Sequence, residues 1–226
     1  MQITGMKRRL AACSALALLL LFPFVSCEKA DPVRSGSGNQ EQAVNDQEPQ
    51  GNTDPGKILI VYYSYTGHCG EIVSALSSNL EKADILRIKE ADEGADYNAN
   101  GYKLGSDLIS AINQAPGQAS SYPAIKAVDK KAEDYDTIIV VTPLWHSHMA
   151  AIMQTYLFQN GSKMKGKNIG LVVSSSSSGI SGVDSDAKRL LPDGKFHDSS
   201  LWINSTNHPK RASLVKEWLE KNKIRI

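Results

Sequence analysis

Cysteine is scarce in this chain. Three occur in 226 residues, Cys13, Cys27 and Cys69, too few for a disulfide framework. Charge of one sign is missing as well. The 25 basic and 24 acidic residues leave a net of +1, which excludes the basic face that nucleic-acid binding needs. The longest apolar run, Leu10 to Val25, has 16 residues, short of the ~20 of a spanning helix. The G-x-G-x-x-G turn, the Walker loop with its Lys and the G-x-S-x-G elbow are all absent. The dinucleotide turn and the lysine-dependent phosphate loop are thereby missing, and a hydrolase reading is weakened. What is there is ordinary globular composition, 41% hydrophobic and 22% charged, in a length that suits one α/β domain with appendages.

The appendages precede the domain. Lys7, Arg8 and Arg9 stand before the apolar run and Pro23 near its end, the charged and apolar regions of an export signal. The run stops at Val25-Ser26-Cys27, which resembles the bacterial lipobox, with Phe24 where Leu is commoner. That resemblance implies a lipoprotein signal peptide over residues 1–26. It also implies acylation of Cys27, which anchors the chain to a membrane of the bacterial cell envelope, on its periplasmic side or surface. Without the three basic residues of the signal, 22 basic and 24 acidic residues remain, a net of −2. Residues 27–56 carry that Cys and then Gly, Ser, Asn, Gln, Asp and Pro with almost no large apolar side chain. Such a stretch cannot bury enough surface to offset its ordering entropy and is expected to be a flexible linker. The folded domain is expected over 57–226.

Within that domain strand and helix signals alternate. Lys57 opens KILIVYY, a continuous β-branched and aromatic run of the kind buried on both faces of a sheet. Residues 83–88, 137–141, 168–173 and 201–203 give four further strands. Ile72, Val73, Leu76 and Leu80 repeat at helical spacing, as do Leu104, Leu108, Ile109 and Ile112. Met149, Ile152, Met153, Tyr156 and Leu157 form another stripe, and Leu214, Val215, Trp218 and Leu219 a last one after Pro209. A short helix fits 183–191. Five strands alternating with helices predict an α/β fold, a parallel sheet covered on both sides, with ligands outside the carboxyl ends of its strands.

The loops after the first, third and fourth strands carry the chemistry. The first reads Ser64-Tyr65-Thr66-Gly67-His68-Cys69. Two hydroxyls, a glycine that turns the backbone and a helix start can hold a phosphate without Lys or Arg. This segment resembles the phosphate loop of the flavodoxin family, (S/T)-x-T-G-x-T directly after the first strand. Ser64, Thr66 and Gly67 match, Cys69 replaces the last Thr, and His68 stands where Asn is common. Asp134-Tyr135-Asp136 followed by Thr142-Pro143-Leu144-Trp145 resembles a second family segment. The resemblance, over about residues 57–226, implies a three-layer α/β/α sandwich with a five-stranded parallel sheet in the order 2-1-3-4-5. It implies FMN as cofactor, its phosphate cradled by Ser64 to Cys69 and Trp145 stacked on the ring. Pro143, Leu144, His146 and Ser147, with Ser174, Ser175, Ser176 and Gly179 of the fourth-strand loop, would edge the ring. The family's frequent Gly beside the ring is absent here, where His146, Ser147 and His148 follow Trp145.

The expected function is electron transfer in the cell envelope, with a partner protein or small acceptor. An FMN-dependent NAD(P)H:quinone-type reductase is the alternative. A second alternative is a flavin-free envelope protein that holds a metal, haem or other ligand on the same fold. His68, Cys69, His146 and His148 would supply the ligands for a metal, imidazole and thiolate being good donors.

Overall fold

The computed structural model describes residues 56–224. The signal segment 1–26, Cys27 and the linker up to residue 55 lie outside the described residues.

The strands form where the apolar runs stand. β1 (Ile58–Tyr62), β2 (Ala83–Arg87), β3 (Thr137–Trp145) and β5 (Asn168–Ser175) lie side by side. Successive side chains of a strand point to opposite faces, so each run feeds two cores. Leu59, Val61, Ile138, Val140, Ile169, Leu171 and Val173 pack on one face. Ile58, Ile60, Ile139, Val141 and Val172 pack on the other. α2 (Ala99–Gln114), α3 (Ala151–Asn160) and α4 (Ser181–Leu190) cover the first face through Ile109, Ile112, Ile152, Val183 and Ala187. α1 (His68–Ser77) and α5 (Arg211–Lys221) cover the second through Ile72, Leu76, Val215, Trp218 and Leu219. α3 is buried nearly all round, which explains why its apolar stripe is so broad.

The sheet corrects the five-strand expectation. It has seven strands, in the order β2-β1-β3-β5-β6 (β6, Lys195–Phe196), with β4 (His148–Met149) paired to β3 and β7 (Leu201–Asn204) to β5. Two departures produce the difference. The place beside β5 is shared by β6 and β7, because His197-Asp198-Ser199-Ser200 breaks the apolar run between them. β3 also runs on to Trp145 and turns back antiparallel into β4 (His148–Met149). His146 and Ser147 make that turn with φ of +49° and +68°, the two positive values that a two-residue type I′ hairpin requires.

Behind the hairpin lies a buried polar network. Asp186 of α4 is 4% exposed. Its Oδ2 accepts from the Met149 amide and from His148 Nδ1, each at 3.0 Å. Arg189 Nη2 donates to Asp186 Oδ1 at 3.2 Å and to Gln154 Oε1 at 2.7 Å. Gln154 in turn donates to the Met149 carbonyl at 2.8 Å. The second strand of the hairpin is thus tied to two helices, and the turn beyond it is held in place.

Among the described residues no helix is long and apolar enough to cross a membrane.

Candidate functional site

A cleft of about 320 Å³ opens at the carboxyl edge of the sheet. Three loops build it, those after β1, β3 and β5, where a parallel sheet leaves its strand ends unpaired. Its volume sits at the lower end of the ~300–1,000 Å³ typical of small-ligand sites.

The β1 loop supplies one end. Gly67 lies in the left-handed region, φ +96°, just ahead of α1, and no Cβ is there to oppose that turn. The helix closes its first turn with Glu71 N donating to the Gly67 carbonyl at 3.2 Å. Gly70 N donates to Ser64 Oγ at 3.4 Å. The amides of Thr66, Gly67, His68 and Cys69 make no hydrogen bond among the described residues, so a set of donors at a positive helix end is free for an anion. Arg87 steadies the loop from β2, its Nη2 donating to the Ser64 carbonyl at 3.3 Å.

Trp145 ends β3 inside an aromatic cluster. Tyr63 meets it edge-on at 5.6 Å, and Tyr97 lies 4.7 Å away at a 41° tilt. Tyr65 packs edge-on to Tyr97 at 5.2 Å. The Tyr65 hydroxyl accepts from the Tyr97 amide at 3.2 Å and donates to Asp96 Oδ1 at 3.3 Å. Burial holds the Tyr63 phenol far above its ordinary range and pushes Tyr97 up to about 12. Both are neutral, so the floor of the cleft carries no charge of its own. Gly105 of α2 comes close beneath: a Cβ there would stand 3.5 Å from the Trp145 ring and 3.7 Å from His146 Nε2.

Of the residues expected at a site, Tyr65, Thr66, His68, Pro143, Leu144, Trp145, His146, Ser174, Ser175 and Ser176 line the cleft. Ser64 lies behind it, 6% exposed, and caps Gly70. Cys69 is 1% exposed in the core of the α1 side. Burial pushes its thiol well up, against a weaker opposing hydrogen bond with Ser174. Gly67, Ser147 and Gly179 do not line the cleft. The Ser147 carbonyl is turned onto Gly182, where a Cβ would overlap it.

Four lining residues were missed by the sequence reading: Tyr97, Asn98, Tyr102 and Gly105. They come from the long polar connection before β3. Asn100, Gly101 and Tyr102 run left-handed in succession at the start of α2 and carry Tyr102 out to 59% exposure. The signal was the Asn-Ala-Asn-Gly stretch between two tyrosines, residues that tolerate positive φ.

The metal or haem set does not assemble. His148 is engaged by Asp186 and by Asn113 Nδ2 at 3.1 Å, Cys69 is in the core, and His68 packs on His208. No group of three His, Cys, Asp or Glu able to hold a metal exists among the described residues.

A doubly wound α/β domain with an anion-ready loop after β1 and an aromatic floor after β3 defines the class. The particular family follows. Residues 57–222 match the family model described as Flavodoxin, and the chain belongs to that family. Among solved structures it is similar to a flavoprotein from Bacteroides eggerthii, with 22% identity, TM-score 0.59, and coverage of 75% of this chain and 99% of that one. A flavoprotein from Bacteroides uniformis gives 20%, 0.57, 72% and 99%. A flavoprotein from Lactobacillus acidophilus, solved in complex with FMN, gives 18%, 0.55, 70% and 99%. At these identities the likeness is one of fold. A curated relative, NAD(P)H dehydrogenase (quinone) 3 of Rhizobium meliloti, is 30% identical over 138 residues. That match takes in 57% of this chain, which spans 57% of the length of that relative.

Proposed function

We propose that the cleft binds FMN and that the protein moves electrons through it. The observation that carries this reading is the pairing, across one cleft, of Trp145 with a β1 loop whose amides are free and whose Thr66 and His68 line that cleft. The amides suit a monoester phosphate, and the Trp145 face suits a flat ring. Ser174, Ser175 and Ser176 suit the polar pyrimidine edge, through hydroxyls and backbone groups. The hydride and electron chemistry is the flavin's own when it is bound; the protein's part is to hold, orient and shield it. The Lactobacillus flavoprotein with FMN, on the same fold, supports the choice of nucleotide.

A second reading, reduction of a quinone-type acceptor by NAD(P)H, is favoured by the Rhizobium relative. The cell-envelope location and the Cys27 anchor belong to the proposal on the lipobox resemblance alone.

Purified full-length protein is expected to be yellow, or to become so with added FMN, at one flavin per chain. Protein that stays colourless through an FMN titration overturns the reading. NADPH added without oxygen is expected to leave a carrier yellow and to bleach a reductase. Cys27→Ser is expected to move the protein from the membrane pellet to the soluble fraction.

A further inference from the structure

His68, which lines the cleft, packs on a second imidazole to which the FMN reading gives no part. His68 opens α1 directly after Gly67 and lines the cleft. Its ring packs on that of His208, centroids 4.9 Å apart and planes tilted by 45°. His208 comes from the short turn before α5, so two distant parts of the chain bring imidazoles together beside the free amides. The His208 side chain is 16% exposed, and its Nε2 is buried without a hydrogen-bond partner. Behind it stands Glu71 of α1, whose Oε2 is 3.9 Å from that Nε2 and 3.0 Å from Arg211 Nη2. The Glu71 carboxylate thus stands behind the packed rings, on the side away from the cleft lining that His68 supplies. Cys69, next in sequence, is kept protonated by burial and adds no charge. No Lys or Arg lines the cleft among the described residues.

We infer that His68, backed by His208 and Glu71, is the phosphate's cation in this protein. His68 takes a proton from solvent as the dianionic monoester phosphate of FMN binds, and it donates a hydrogen bond to that phosphate. The inference rests on the FMN reading and gives it a pH signature. A phosphate monoester gains its second charge as pH rises through about 6, which strengthens its hold on the amides. Histidine ordinarily loses its proton above about 6.5, and a bound anion delays that loss. FMN affinity therefore rises, peaks near neutral pH, and falls about tenfold by pH ~9, the effect of losing one charge-assisted hydrogen bond. Riboflavin, which lacks the phosphate, shows neither limb.

The test is quenching of flavin fluorescence by the full chain, freed of flavin, between about pH 5.5 and 9. The expected result is a peaked profile for FMN and a flat one for riboflavin. His68→Asn is expected to remove the alkaline fall and keep the acid-side rise; His208→Gln is expected to shrink the fall. Survival of the fall in both variants, or its appearance with riboflavin, overturns the inference. FMN binding with no alkaline fall in the unaltered protein also overturns it and leaves the cofactor reading standing. Absence of FMN binding at every pH overturns both. If His68→Asn does not fold, the fall in His208→Gln decides.

Discussion

At the scale of the residue, Trp145 carries two loads that can be separated. It fills space between Tyr63 and Tyr97, and in the proposed site it is the platform for a ring. Trp145→Ala is expected to cost about 2 kcal/mol of stability, below the ~3–5 kcal/mol of a fully buried Trp because the side chain is only part-buried. It should also weaken FMN at least about tenfold. Trp145→Phe should recover most of the stability and part of the affinity. Urea unfolding and FMN titration of the two variants measure the two effects independently. His197 makes a different point. Burial pushes its imidazole below the ordinary histidine range, with Asp198 opposing, and its Nε2 is buried without a hydrogen-bond partner. The folded protein favours the neutral ring, while the unfolded chain protonates near 6.5. Below that value the unfolded state binds more protons, so this contribution to stability is present above about pH 6.5 and is lost as pH falls toward 5. His197→Gln should flatten the melting temperature between pH 7 and 5. An equal fall in both proteins would show that His197 is not responsible. Asp84 and Glu93 act in a lower window. Hydrogen bonds from Tyr135 and Lys126 hold their carboxyls below the ordinary range, so their contributions persist above about pH 4 and fade beneath it.

At the scale of the element, the strands and most helices were legible because burial wrote a period into the sequence. Ile58–Val61 and Ile138–Val141 have no polar position, and the structure covers them on both faces. Three features left no such trace. The β4 hairpin turns on His-Ser, not on the Asn-Gly or Asp-Gly that advertises a type I′ turn. The division into β6 and β7 depends on a four-residue polar break, His197 to Ser200. The left-handed start of α2 hides in a polar stretch with no apolar period. The site was legible in the β1 loop, whose spacing is local. It was not legible in Tyr97, Asn98, Tyr102 and Gly105, which only tertiary packing brings to the cleft. The hairpin also supplies a sharp test. Gly182 admits no Cβ because the Ser147 carbonyl lies against it. Both partners are backbone, so relief requires the turn or the start of α4 to move. Gly182→Ala is expected to destabilise the protein by about 1–3 kcal/mol and to shift His146 at the rim of the cleft. A melting temperature and FMN affinity equal to those of the parent would show that the turn is not wedged there.

At the scale of the whole molecule, the cleft draws on both layers of the fold. Its β1 loop leads into α1 on one face, while Tyr97, Asn98, Tyr102 and Gly105 belong to the α2 side of the other. The loops after β3 and β5 come from the middle of the sheet. A ligand that joins these parts cannot leave the site intact while one layer opens, so its binding energy should appear in global unfolding and not only in local order. For a ligand that binds the folded state alone, a concentration of 100 times Kd adds about 2.7 kcal/mol. In a domain of roughly 150–250 residues each kcal/mol raises Tm by about 2–4 °C. FMN at that excess is expected to raise Tm by about 5–11 °C, and each further tenfold excess by about 3–6 °C. Riboflavin at the same concentration as FMN should give a smaller rise, the difference measuring what the β1 loop and His68 contribute through the phosphate. Inorganic phosphate alone should give less than either, because it leaves the Trp145 face uncovered. Thermal denaturation followed by circular dichroism reads all three. A rise with riboflavin equal to that with FMN would place the binding energy in the ring and remove the β1 loop from the site.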